Sequence, residues 1–271
     1  MQQVRWFPTP LPADVPPGSV RRFVERHVVD DGRRSLVALA LSGAHAYGFP
    51  SPDSDLDLKA IHLVPIRALV GLRGPPTPPE HTEIFEGREM DCSSHELGQA
   101  AQLLLKGNGN MLERVLARLP LVDTPLLEQL RVTTARNLSR RVHHHYRGFL
   151  HQVVKELEQE AAAAVRKAKR FLYAYRVALT GVHALLEGDI EPDVRVLAPR
   201  YGLAAEVDTL IVCKQSAELA LLTEDAARPY QARLPRLFDL LDDAAAGSPL
   251  PESPAHADEM EQLVIDARLR C

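Results

Sequence analysis

Several features common in proteins are scarce in this chain of 271 residues, and each shortage excludes a class of protein. Aromatic residues make up only 5% of the sequence, which disfavours an all-β sandwich and, with abundant Leu, Ala and Arg, favours packed helices. No apolar run approaches the roughly 18 residues that a membrane-spanning helix requires, so we expect a soluble protein that does not bind a membrane. The formal net charge of −4 offers no overall attraction for nucleic acid, so any polyanion contact requires a local basic face.

Cysteine is also scarce. The three cysteines, Cys92, Cys213 and Cys271, lie far apart and show no C-x-x-C spacing. This pattern predicts neither a disulfide framework nor a zinc site, and it favours the reducing cytoplasm. The first twenty residues are rich in proline and lack an apolar run, so they do not predict a signal peptide.

The spacing of apolar residues changes along the chain. In the first half, apolar runs over 36–41 and 55–64 predict buried strands, and the Glu86-Gly87 pair predicts the turn of a hairpin. From residue 126 onward nearly every window has helical spacing, apart from a short strand signal at 194–197. Helices are predicted over 126–138, 142–164, 165–186, 204–222, 230–246 and 258–269.

This pattern predicts an α+β fold in which a mixed sheet with helices is followed by a mainly α-helical domain. The expected division is a proline-rich arm (1–17), a domain containing the sheet (18–122), a helical domain (123–246), and a linker with a C-terminal helix (247–271).

The residues best suited to chemistry follow the first predicted strand. Ser42, Gly43 and Ala44 are small and stand at the start of a helix, where free backbone N–H groups can hold phosphate. Asp55 and Asp57 lie two apart on the next strand, so their carboxylates project from one face and can share Mg²⁺ or Mn²⁺. This combination predicts a phosphate site beside a divalent metal site.

A third carboxylate is expected from the strand that follows the Glu86-Gly87 turn. Asp91 can lie beside Asp55 and Asp57 if this strand is their neighbour in the sheet. Glu89, two residues earlier on the same face, is the competing choice, and we prefer Asp91. Three carboxylates and two metal ions are sufficient for in-line transfer of a nucleotide to a hydroxyl group.

Taken together, these residues resemble the DNA polymerase β nucleotidyltransferase superfamily. They are most similar to its YcgL-like, RNA-repair-associated (RlaP-type) branch, over about residues 35 to 188. The blocks that carry the resemblance are 43–48 (GAHAYG), 52–59 (PDSDLDLK), 106–113 (KGNGNMLE) and the series Lys169, Tyr173 and Arg176.

The resemblance implies a polymerase-β-type nucleotidyltransferase domain that transfers NMP from an NTP, expected to be ATP, to an acceptor hydroxyl. It also implies an RNA end as the acceptor and Mg²⁺ or Mn²⁺ as the cofactor, with Asp55, Asp57 and Asp91 as catalytic metal ligands. The residues expected to bind the nucleotide are Ser42, Gly43, Ala44, Lys59, Lys169, Tyr173 and Arg176.

The residues themselves leave alternatives open. Ala44 stands where the superfamily usually has serine, so a weak or inactive nucleotide- or RNA-binding module is one alternative. A protein or a small molecule as acceptor is another. Lys59 suits a structural ion pair as well as phosphate binding, and the basic stripe that includes Lys169 and Arg176 suits a solvated helix face equally well. Glu113 is interpreted as part of a helix capping box, and the oligomeric state stays open.

Overall fold

The computed structural model describes residues 4–7, 11–29, 33–70, 72, 77–116, 118–216 and 220–271. Residues 1–3 and 8–10 of the predicted proline-rich arm lie outside the described residues. The strands are β1 (Arg5–Trp6), β2 (Ser35–Leu41), β3 (Leu56–Leu63), β4 (Glu80–Phe85), β5 (Arg88–Glu96) and β6 (Val122–Asp123).

The helices of the first half are short. They are α1 (Ser19–Val24), which continues as a π-helix over Glu25–Val29, α2 (Gly43–Tyr47), α3 (Ile66–Val70), α4 (Leu97–Leu105) and α5 (Gly109–Val115). Most helices of the second half are longer. They are α6 (Pro125–Arg136), α7 (Val142–Ala162), α8 (Ala168–Glu187), α9 (Val194–Arg200), α10 (Ala204–Ser216), α11 (Glu224–Ala246) and α12 (Ala257–Leu269). The predicted α+β class is confirmed.

Four strands form the main sheet in the order β2-β3-β5-β4. Strand β3 is antiparallel to β2 and parallel to β5, and β4 forms an antiparallel hairpin with β5. Glu86 and Gly87 join the hairpin with φ values of 50° and 89°, as a two-residue type I′ turn requires. The predicted hairpin is therefore confirmed. A separate two-stranded pair joins β1 to β6.

Two apolar clusters cover the two faces of the main sheet. Because side chains alternate along a strand, Leu56 and Leu58 of β3 pack on one side against α1, where Phe23 is fully buried. Ile61 and Leu63 point to the other side and join a larger cluster that continues into the helical half. The two predicted domains therefore share a core.

Helix α8 lies at the centre of the helical half, packed against α7, α9, α10 and α11. The chain ends in α12, which returns to pack on α4 and α6. In the described parts of the chain, none of the helices combines the length and apolar character needed to cross a membrane.

The strand signal at 194–197 is wrong, since these residues begin α9. Asp193 caps this helix by accepting a hydrogen bond from the Arg195 N–H at 2.8 Å. Val194, Leu197 and Ala198 are buried with helical spacing. Capping and packing therefore outweigh the β-propensity of the two valines in this segment.

Candidate active site

Asp57 and Asp91 lie side by side on neighbouring strands. Strands β3 and β5 are parallel, and Asp57 is the register partner of Asp91. Both carboxylates therefore project from the same face of the sheet as Lys59. Glu89 is exposed and precedes the first paired position of β5, Met90, so the sheet pairs Asp57 with Asp91 and not with Glu89.

The ammonium group of Lys59 stands between these two carboxylates. Its Nζ atom lies 3.5 Å from Asp57 Oδ1 and 3.1 Å from Asp91 Oδ2. Thr82 of β4 donates a hydrogen bond of 2.9 Å to the other Asp91 oxygen. The oxygens of Asp55, Asp57 and Asp91 do not all approach within 4.8 Å of one another. A positive charge thus occupies the space between Asp57 and Asp91.

Gly43, the predicted phosphate cradle, packs directly against Asp57. It has a φ of 61°, and a Cβ atom added to it would lie 1.7 Å from Asp57 Oδ2. Only glycine fits this position, because both the backbone conformation and the close carboxylate exclude a side chain. The Ser42 N–H donates a 2.8 Å hydrogen bond to the carbonyl oxygen of Asp57, which binds the turn to β3. Ala44 is only 5% exposed, so its methyl group packs into the core.

The pKa values of the two paired aspartates shift in opposite directions. Burial and the negative charge of Asp55 raise the pKa of Asp57 to about 6, although Lys59 opposes the increase. Burial also acts to raise the pKa of Asp91, but hydrogen bonds from Lys59 and Thr82 and the charge of Lys59 hold that pKa below its usual value. Carboxylates crowded in this way are typical of sites that bind cations or transfer protons.

Asp55 stands at the end of a short loop that several side chains hold in place. Within the loop, the Ser51 N–H and hydroxyl lie 2.9 and 3.0 Å from Ser54 Oγ. Lys214 of α10 is fully buried and donates to the Ser51 and Ser54 hydroxyls at 2.6 and 3.1 Å. Arg88 donates to the Ser54 carbonyl oxygen from the other side. The helical half thus helps to shape the loop that carries a predicted metal ligand.

Tyr173 brings helix α8 to the carboxylates. Its ring makes edge contacts with Tyr47 and Phe49, at centroid distances of 5.7 and 5.8 Å. Burial raises the pKa of Tyr173 to about 12, and the negative charges of Asp57 and Asp55 add to the increase while Arg176 opposes it. Tyr173 is therefore protonated at neutral pH and lies within electrostatic range of both aspartates.

Arg176 lies deeper, and the structure corrects the expectation that it forms an exposed basic stripe with Lys169. Arg176 is 0% exposed, and its Nη1 lies 2.6 Å from Glu113 Oε1. Its guanidinium group also stacks 3.9 Å from the centre of the Tyr47 ring. These contacts join α8, α5 and α2, so Arg176 fixes the position of the motif that contains Gly43. Lys169 is half-buried.

Three residues of this region are not among the predicted site residues. Thr82 could have been found, because the two-residue turn fixes the hairpin register and places Thr82 opposite Asp91. Glu113 was expected in a capping box, but Asn108 alone provides the observed cap while the Glu113 carboxylate pairs with Arg176. Lys214 has no local signal, since its partner Ser54 is 160 residues away in the sequence.

Comparison with known proteins confirms the resemblance to the polymerase β superfamily. Residues 18–266 match RlaP, described as the RNA repair pathway DNA polymerase beta family. An uncharacterized protein of Methanocaldococcus jannaschii, MJ0002, is 26% identical over 157 residues, which is 58% of this chain and 63% of that protein. The chain thus spans less than two thirds of the length of this relative. Since the family match covers nearly the whole chain, far beyond the motifs at 35–188, the protein belongs to the RlaP family, the RNA repair pathway DNA polymerase beta family.

Proposed function

We propose that this protein transfers NMP from an NTP, with ATP as the expected donor, to a hydroxyl group at an RNA end, in a reaction that requires Mg²⁺ or Mn²⁺. The observation that carries the proposal is the pairing of Asp57 with Asp91 on parallel strands, with Gly43 packed against Asp57. This arrangement puts acidic ligands and the first backbone N–H groups of α2 at one place on the sheet.

The donor atoms fit a hard divalent cation. Asp55, Asp57 and Asp91 offer carboxylate oxygens, which Mg²⁺ and Mn²⁺ prefer as ligands. The Lys59 ammonium group lies between Asp57 and Asp91, so these two carboxylates already pair with one positive charge. Bound divalent cations would supply activation of the acceptor hydroxyl and neutralisation of charge on the departing pyrophosphate.

The protein's own residues bind and orient the nucleotide. The backbone N–H groups of Gly43 and Ala44 stand at the start of α2 and would hold phosphate, as at other helix beginnings. Lys59 supplies a positive charge beside the carboxylates, and Lys169, four residues before Tyr173 on α8, would extend the site along this helix. Arg176 acts as a positioning residue, because its contact with Tyr47 fixes α2.

The overall reaction joins the acceptor oxygen to the α-phosphorus of the NTP. The bond between the α-phosphorus and the oxygen that bridges to the β-phosphorus breaks, and that oxygen leaves with pyrophosphate. The proton of the acceptor hydroxyl passes to solvent. Asp57, Asp91 and Lys59 provide fixed charges beside the reacting groups during this exchange.

The test is incubation with each α-³²P-labelled NTP, Mg²⁺ or Mn²⁺, and RNA with a free 3′-hydroxyl, followed by measurement of labelled RNA and of released pyrophosphate. We expect metal-dependent labelling of RNA that is highest with ATP. Asp57→Ala and Asp91→Asn should remove nearly all labelling.

Glu89→Gln is the matched control for Asp91→Asn. Glu89 lies two residues away on the same face of the sheet, but it is exposed and outside the β3 pairing. It should keep wild-type activity. Full activity in Asp91→Asn, or equal loss in Glu89→Gln, would show that the carboxylates are assigned wrongly.

A second candidate function is nucleotide or RNA binding without turnover. Two observations favour it: Lys59 occupies the space between two of the predicted metal ligands, and Ala44 replaces the usual serine with a buried methyl group. NTP binding without pyrophosphate release under all the conditions above would support this candidate. Labelling of the protein itself, removed by protease and not by ribonuclease, would instead identify a protein acceptor.

A further inference from the structure

His27, His81 and Glu83 form a second cluster of metal-ligand side chains, on the opposite face of the sheet from Asp91. Glu83 and His81 flank Thr82 on β4, and Thr82 is the register partner of Asp91. Because neighbouring side chains on a strand point to opposite faces, His81 and Glu83 project away from the aspartates. His27 reaches them from the π-helix Glu25–Val29 that follows α1.

The ligand atoms of this cluster converge. His27 Nε2 lies 2.9 Å from Glu83 Oε1, and His81 Nε2 lies 3.4 Å from Glu83 Oε2. One ligand atom from each residue lies within 4.8 Å of the other two, and no other group of three His, Cys, Asp or Glu side chains in the described ranges meets this condition. The residues come from two separate elements, so the convergence is a tertiary feature.

Hydrogen bonding among the three side chains explains the position of His27 but not that of His81. The bond between His27 and Glu83 has good geometry. His81 Nε2, by contrast, is buried and makes only a longer contact of 3.4 Å with Glu83 Oε2, which falls short of good hydrogen-bond geometry. A cation between the three side chains would use this nitrogen more fully.

The surroundings also suit a bound ion. The two imidazole rings are stacked with centroids 3.8 Å apart, and Phe23 lies against His27 at 4.8 Å. Phe23 thus shields one side of the cluster, while the side chains of His27, Glu83 and His81 are 17%, 34% and 38% exposed and leave a path for entry. The rings are nearly parallel, at 13°, so they must tilt toward each other to direct both lone pairs at one ion.

We propose that His27, His81 and Glu83 bind one Zn²⁺ ion, with water as the fourth ligand. Two imidazole nitrogens and one carboxylate oxygen suit zinc, whereas the all-oxygen aspartate site suits Mg²⁺ or Mn²⁺. The ion would fasten the π-helix to β4, the edge strand of the sheet. The proposal is independent of the proposed nucleotidyl transfer, because the ligands lie on the other face.

The experiment measures Zn²⁺ binding by competition with a chromophoric chelator, in the full-length Asp57→Asn/Asp91→Asn protein so that the aspartate site does not contribute. We expect one Zn²⁺ per chain. Loss of an outer-shell partner of a zinc ligand typically costs 10- to 100-fold in affinity, so His81→Gln and Glu83→Gln, which remove ligands, should cost about 100-fold or more. Co²⁺ should give visible absorption bands of a four-coordinate site that disappear in both variants.

His151→Gln is the matched control, since His151 is an exposed histidine on α7. It should bind Zn²⁺ like its parent. Circular dichroism establishes that each variant is folded, and His27→Gln provides a third ligand change from a different element. Absence of a tight Zn²⁺ site in the parent, or unchanged affinity in folded His81→Gln and His27→Gln, would overturn the proposal.

Discussion

Asp57 and Asp91 are register partners on parallel strands, and the Lys59 ammonium group lies within 3.5 Å of an oxygen of each. The three side chains therefore form one electrostatic unit. Lys59 neutralises part of the repulsion between the aspartates in the absence of a metal ion. The same charge must compete with any divalent cation that approaches the two carboxylates.

We expect Lys59→Met to tighten Mn²⁺ binding to the nucleotide-free protein by about tenfold, equivalent to about 1.4 kcal/mol. The reason is the loss of a competing charge. NTP affinity should fall in the same variant, since Lys59 also supplies positive charge for phosphate. Isothermal titration with Mn²⁺ and with NTP measures both effects.

Lys106→Met, which removes an exposed lysine after α4, is the control and should change neither affinity. Weaker Mn²⁺ binding in Lys59→Met would mean that Lys59 orders the carboxylates for the metal and does not compete with it.

The raised pKa of Asp57 predicts that Asp57→Asn stabilises the metal-free protein at neutral pH. An acid whose pKa is about 6 in the folded protein, above its usual value of 3.8, opposes folding in its ionised form. The variant should therefore gain up to about 3 kcal/mol above pH 6, and the gain should disappear as the pH falls toward 4. Denaturant unfolding in EDTA at several pH values measures the difference.

Asp208→Asn, at an exposed position of α10, should show no such pH-dependent gain. A destabilised Asp57→Asn at pH 8 would indicate that the contacts of Asp57 with Lys59 outweigh burial and repulsion from Asp55.

Much of the central geometry could be predicted from local patterns. The Glu86-Gly87 turn predicts the hairpin, and Asp55 and Asp57 follow a recognisable glycine motif. The resemblance and the preference for Asp91 as a third carboxylate predict that its strand neighbours β3, but the parallel direction of the β3–β5 pair is a tertiary feature that local patterns do not predict.

Contacts between distant segments explain what could not be predicted. Arg176 has the helical spacing of a basic surface residue, and nothing in its local sequence shows that Glu113, 63 residues away, will enclose it. The role of His81 likewise depends on His27, which the alternation of β4 alone does not reveal.

The buried pair of Arg176 and Glu113 should be important for stability. Removing one partner of a buried ion pair leaves an uncompensated charge, at a typical cost of about 3–5 kcal/mol. We expect Arg176→Met to reduce the free energy of unfolding by about this amount, measured by denaturant unfolding. The double variant Arg176→Met/Glu113→Gln should recover part of the loss.

The exposed pair of Arg147 and Asp242 is a suitable comparison, with its two side chains 46% and 45% exposed. Arg147→Met should cost about 1 kcal/mol or less. Similar losses in Arg147→Met and Arg176→Met would contradict the view that burial makes the Arg176 pair important.

Lys214 connects helix α10 to the loop that precedes Asp55, so its removal should loosen the predicted metal site from a distance. In Lys214→Met, the Ser51 and Ser54 hydroxyls keep their mutual contact of 3.0 Å but lose their common donor. Met fills a similar volume and buries no charge, so global unfolding should change little, while amide hydrogen exchange in the 51–55 loop should accelerate. Mn²⁺ affinity should fall by about tenfold, or about 1.4 kcal/mol, because the Asp55 carboxylate must then be ordered when the ion binds.

A double-mutant cycle with Ser54→Ala separates this effect from a general loss of stability, since the two changes should not add if Lys214 acts through Ser54. Unchanged exchange in the loop together with unchanged Mn²⁺ affinity would show that Lys214 fills the core without positioning Asp55.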